Sequence, residues 1–133
     1  MAQLEERGFI LCQFVSWDAD RRPTAISIYA NPGLIDIVSY PAVLSLGVVW
    51  MFAGTISDPT QPARFRLMAG RRTLIEGALA FVPSRSSPGL VVVGLNMQAI
   101  RIAKDTDLSV SLDIEGTTFR KDAAVRVLSG SRP

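Results

Sequence analysis

Between Asp107 and Ile114 every second residue is apolar: Leu108, Val110, Leu112 and Ile114 alternate with Asp107, Ser109, Ser111 and Asp113. Such a period of two suits a strand with one buried face, whereas an amphipathic helix repeats its apolar stripe every three to four residues. Glu115-Gly116 follows, placing a residue tolerant of positive φ where a tight reversal needs one. Phe119, Lys121, Ala123, Val125 and Val127 resume the alternation on the return. Asp105 to Leu128 therefore reads as an antiparallel hairpin. Ala123, Ala124, Val127 and Leu128 also fit helical spacing, and the turn signal and β-branched valines favour the strand.

Against that one-faced standard, three other segments stand out. Gly8 to Trp17 carries Phe9, Leu11, Val15 and Trp17 on one parity and Ile10, Cys12 and Phe14 on the other. Val43 to Ala53 sets Leu44, Leu46, Val48, Trp50 and Phe52 against a smaller but still apolar second face, and Leu90 to Leu95 is apolar throughout. Strands of a two-layer domain normally keep one wet face. The surplus points to self-association as a homodimer, or to a protein partner; cover by the chain's own loops is the alternative.

The remaining segments complete an all-β pattern. Thr24 to Ala30 makes a first hairpin with Gly8–Trp17, and Leu34 to Ser39 is a short extended piece closed by Tyr40-Pro41. Ala63 to Met68 points Phe65 and Leu67 inward and Arg64 and Arg66 outward; the chain reverses at Gly70-Arg71-Arg72 and returns over Thr73 to Val82. A long loop follows at 83–89, and Leu90 to Ala103 invites a kink at Gly94 or Asn96. The expectation is one domain, residues 1–133: a two-layer antiparallel β-sandwich of about eight strands, immunoglobulin-like, with a jelly-roll as the alternative.

Composition narrows the function. With 48% hydrophobic and 20% charged residues the chain should fold, and 14 Lys and Arg against 12 acids make no global polycation. Ile37 to Ser57 carries no charge and is long enough to span a bilayer as a helix. Pro41 and Gly47 interrupt it and basic residues are far from both ends, so a buried strand is the better reading. The N-terminus lacks a basic segment followed by a long apolar one, and the single cysteine, Cys12, suits a reducing compartment; the cytoplasm is the expected location.

The chain has no histidine, which removes Ser-His-Asp and Cys-His catalysis and the commonest zinc sites. Cys12 without a histidine base reads as core, and no cofactor motif is present. Asp18-Ala19-Asp20 and Asp105-Thr106-Asp107 are paired carboxylates, but neither belongs to a calcium loop, so both read as turn formers. Arg64, Arg66, Arg71 and Arg72 share one hairpin and form a candidate polyanion or nucleic-acid patch. A solvated edge strand guarded by charge accounts for them more simply, because no aromatic stacking platform accompanies them.

The hydrophobic first strand, the Tyr40-Pro41 step before the dominant strand, and the closing Asp107–Gly116 run DLSVSLDIEG together resemble a family of short, uncharacterised bacterial β-sandwich proteins. In that family a similar closing strand ends in an acidic residue and glycine. The resemblance implies the fold and the compartment, and brings no activity or site residues.

The sequence thus favours a non-enzymatic binding or structural module, self-associating or protein-binding. The competing readings are polyanion binding through Arg64–Arg72 and a hydrolase built on converging carboxylates, for which Asp36 and Glu76 are the example pair.

Overall fold

The computed structural model describes residues 3–19, 22–29, 33–56, 61–79 and 89–127. Its nine strands are β1 (Gln3–Trp17), β2 (Pro23–Ile28), β3 (Leu34–Ile37), β4 (Ala42–Thr55), β5 (Ala63–Ala69), β6 (Arg72–Leu79), β7 (Leu90–Ile102), β8 (Thr106–Ile114) and β9 (Thr117–Val127). They form two sheets, β2-β1-β4-β7 and β3-β9-β8-β5-β6, packed as a β-sandwich. Every pairing is antiparallel except β3 with β9, which run parallel. The short extended piece after Gly33 is thus a strand of the second sheet, giving nine strands where about eight were expected.

The closing hairpin forms as its alternation demands. Glu115 and Gly116 both have positive φ, 48° and 86°, the two-residue reversal whose twist matches the flanking strands. Leu108, Leu112 and Ile114 are buried to 2% exposure or less, while Asp107 and Asp113 are exposed. Ala123 to Val127 is strand, paired with both β8 and β3, so the helical alternative falls away.

β4 dominates the core. Leu44, Leu46, Val48, Trp50 and Phe52 face the second sheet, where they meet Leu67, Leu108, Leu112 and Val125. Phe9 meets its cross-strand partner Trp50 edge-on at 5.0 Å between centroids, and Phe119 of the second sheet tilts against Phe52 at 4.6 Å, joining the sheets. The uncharged stretch from Ile37 is cut by the Tyr40-Pro41 turn and continues as β4; no helix among the described residues is long and apolar enough to cross a membrane.

The irregularity expected at Gly94 or Asn96 falls elsewhere. The β4–β7 register shifts between Leu44 and Leu46, opposite Met97 and Ile100, and Ala99 takes a φ of 59°. Gly94 and Asn96 remain in register with Val49 and Gly47, and their special residue types serve contacts described below. Of the loop expected at 83–89, only Gly89 lies within the described residues.

Candidate functional site

The second apolar face of β1 and β4 is covered by the chain itself. β1 pairs with β4 only as far as Cys12 opposite Gly47; beyond that point it pairs with β2 alone. Gly47 lies between the core residues Leu46 and Val48, so it faces the outside of the first sheet. A Cβ there would lie 2.8 Å from Cys12 Sγ and 3.0 and 3.1 Å from the backbone C and Cα of Phe14. The second half of β1 therefore crosses directly over β4, and glycine is what lets the two backbones approach.

The crossing ends on β7. Asn96, also facing outward, clamps the β1 backbone: its Oδ1 accepts from Val15 N at 2.7 Å, and its Nδ2 donates to Val15 O at 2.8 Å. Trp17 lays its indole over Gly94, where a Cβ would fall 2.8 Å from Cη2 and closer still to Cζ2. Beneath the crossing Cys12, Val15 and Val49 form a second, smaller buried cluster, with Ile10, Ala25, Met51 and Val92 around it. Burial pushes the Cys12 thiol above its ordinary pKa, and Sγ donates to Phe14 O at 3.3 Å, so the thiol is held protonated and is no nucleophile.

Covering one apolar face exposes another. Six large hydrophobic residues are exposed among the described residues, and four belong to the β1–β2 hairpin: Phe14 (41%), Trp17 (43%), Ile26 (45%) and Ile28 (59%). Phe14 and Ile26 are direct cross-strand partners, so they share one face. Val43, 68% exposed, lies on the outward side of β4.

The outside of the second sheet has the opposite character. Arg64 sits across from Asp113, Arg66 across from Ser111 on one side and Glu76 on the other, and Ser109 across from Asp122. Arg66 Nε lies 3.5 Å from Glu76 and Arg120 Nε 3.0 Å from Asp122; Thr118 also donates to Asp113. Acids interleave with the arginines of this face, which favours a solvated surface over a polyanion track. Arg71 and Arg72 lie exposed at the β5–β6 turn, at the end of the same hairpin.

The paired carboxylates hold structure together. Asp105 accepts from Tyr40 Oη at 2.5 Å, and Arg126 reaches Asp107 at 2.9 Å, Asp105 at 3.8 Å and the Thr106 carbonyl at 3.1 Å. Asp18 caps its turn by accepting from Arg22 N at 2.8 Å; Asp20 lies outside the described residues. Asp36 and Glu76 are on β3 and β6, the two edges of one five-stranded sheet. Four strand spacings, about 19 Å, separate those edges, too far for two carboxyls to share a glycosidic bond. Among the described residues no group of three potential metal ligands converges.

Tyr40 yields a pH prediction. Loss of solvent around the phenol, with the hydrogen bond to Asp105 and that carboxylate's charge, pushes its pKa up to about 12 from an ordinary 10. A pKa raised on folding means the contribution to stability is complete below pH 10 and is lost as pH rises through about 12. Absorbance titration of the native protein should show no tyrosinate step at 10, since burial also raises Tyr29, the only other tyrosine. Tyr40→Phe should halve the late absorbance change, leaving Tyr29; titration of both tyrosines at 10 in the native protein contradicts the contact.

One ion pair spans the two sheets, and the sequence reading passed over it. Trp50 is fully buried, and its Nε1 donates to Glu6 Oε1 at 2.8 Å while Lys121 Nζ sits 2.7 Å from Oε2. Desolvation alone would raise the Glu6 pKa, but the hydrogen bonds from Lys121 and Trp50 and the lysine charge together hold it below the usual carboxylate range. Glu6→Leu strands a buried indole N–H and should cost about 1–3 kcal/mol in denaturant unfolding, whereas Glu6→Gln keeps an acceptor and should cost less. Equal losses would show that the indole bond does not matter. Nothing local singles Glu6 out, since Glu5 and Arg7 flank it and its partners are 44 and 115 residues away.

No protein-family model matches the chain, and no curated protein matches it.

Proposed function

We propose that this chain is a non-enzymatic protein-interaction module of a reducing, cytoplasmic compartment, which associates with its own copies through the outside of the β1–β2 hairpin. The observation that carries this reading is the concentration of exposed large hydrophobics there: Phe14, Trp17, Ile26 and Ile28 lie on one hairpin, while the outside of the opposite sheet alternates arginine with acid. Large exposed apolar side chains gathered on one short hairpin mark a place another protein covers. Trp and Phe anchored on a rigid element suit such a role, because they bury large areas at small entropic cost.

Light scattering after size separation, run over a hundredfold range of concentration up to about 100 μM, should show mass rising above the 14.4 kDa chain. Phe14→Ser with Ile26→Ser should return it to monomer while thermal unfolding stays cooperative, since both side chains are already more than a third exposed. A wild-type chain that remains monomeric throughout ends the proposal.

A further inference from the structure

The β1–β2 hairpin changes direction at one level. β1 keeps a single register with β4 from Gly8 opposite Met51 to Cys12 opposite Gly47, and Gln13 is the first residue to leave it. β2 is disturbed at the same level. Cys12 pairs with Ile28 and Phe14 with Ile26, the intervening pair of Gln13 with Ser27 is missing from the ladder, and Ser27 has a φ of 58°. A serine in the left-handed region is strained, and such strain collects at segments that have two arrangements.

Past the bend, β4 keeps an unused edge. Ala42, Val43, Leu44 and Leu46 pair with β7 on one side, and among the described residues no strand pairs with them on the other. That edge has the length and register of the segment that left it. Continued beyond Cys12, the β1–β4 register sets Gln13 opposite Leu46, Val15 opposite Leu44 and Trp17 opposite Ala42, so the last residue of β1 meets the first of β4. The same continuation turns Val15 and Trp17 to the core side, where β4 already directs Leu44 and Leu46.

We propose that the second half of β1, with β2 alongside, is a strap with two positions: folded over β4, or lying in the plane of the first sheet along the edge from Ala42 to Leu46. The folded position gains the Asn96 clamp on Val15 and the buried cluster of Cys12, Val15 and Val49. The in-plane position gains a continued ladder and releases Ser27. Its cost is Gln13, which comes to lie opposite the fully packed Leu46, and this makes the folded position the resting one. Movement of the strap uncovers the outer side of β4 and opens the Cys12 thiol to solvent. The device works within one chain and does not depend on association between copies.

A disulfide reads the in-plane position. Ser16→Cys with Val43→Cys, in a Cys12→Ala background, places two thiols directly opposite in the continued register, and both sites are exposed in the folded position. In the folded position Ser16 lies between Val15 on Asn96 and Trp17 on Gly94, near Leu95, which pairs with Val48. Val43 is five residues along β4 from Val48, about 17 Å, beyond the reach of a disulfide. Under oxidised glutathione at about 1 μM protein, an intrachain disulfide should form at a rate that low urea leaves unchanged, as local movement requires. Gly47→Ala puts a Cβ 3.0 and 3.1 Å from the Phe14 backbone in the folded position only, and should speed the reaction about tenfold. Asn96→Ala, which removes the clamp and adds no bulk, should speed it as well and serves where Gly47→Ala weakens the fold. Thermal melts of the reduced variants show that each is folded. Absence of the intrachain disulfide in folded protein overturns the proposal, as does a rate that climbs with urea as steeply as global unfolding, or one that neither substitution changes.

Discussion

Trp50→Ala should cost about 3–5 kcal/mol, the range for removing a large aromatic from a packed core. The expected value lies at the upper end for two reasons. Trp50 is fully buried at the centre of β4 and touches Phe9, Phe52 and Phe119, so the cavity opens between the sheets where neither can collapse alone. The indole also supplies one of the two groups that hold Glu6, and without it the carboxylate keeps only Lys121. Urea unfolding should show a lower midpoint with an unchanged slope. Trp50→Phe, which keeps the aromatic contacts and loses the hydrogen bond, should recover most of the loss; a cost below about 1 kcal/mol for alanine would mean the sheets are not joined through this residue.

Gly47→Val should have the second largest effect, and it has a signature other than stability. The nearest atoms to the new side chain are backbone atoms of Phe14 at 3.0 and 3.1 Å, which cannot swing aside as a side-chain tip can. The hairpin must lift, and the two hydrogen bonds between Asn96 and Val15 must lengthen or break. Overpacking of this kind costs about 1–3 kcal/mol. Cys12, fully buried under the crossing, then becomes accessible. An aromatic disulfide reagent should modify the wild-type thiol only as fast as the protein opens, and the variant much faster under native conditions. Equal rates would show that the hairpin does not cover β4.

Which parts of this architecture were readable beforehand follows from the range of the forces. The closing hairpin was legible because alternation and a Glu115-Gly116 turn are local, and each of β4, β5 and β8 announced its inward residues by parity. The surplus apolar face was legible as well, on residues 8–17, 43–53 and 90–95. What covers it was not, since the answer lies in contacts between Phe14 and Gly47, Val15 and Asn96, and Trp17 and Gly94. Gly47, Gly94 and Asn96 inside otherwise apolar strands were the visible trace; Gly94 and Asn96 read as possible kinks, because a close approach by a distant segment leaves the same mark as a bend, and Gly47 read as a break in an apolar stretch. Part of what suggested a partner is therefore satisfied within the chain, and the demand for one moves to the outside of the hairpin. The setting of the arginines was hidden for a similar reason: parity placed Arg64 and Arg66 outward, but only strand order brings Asp113 and Glu76 alongside them.

Hydrogen exchange measured at about 1 and about 100 μM protein tests most directly whether the apolar hairpin is a contact between copies. At the higher concentration, amides of β2 and of the second half of β1 should exchange more slowly, while those of the charged face on β5 and β6 stay unchanged. Exchange at the hairpin that is identical at both concentrations would contradict the account.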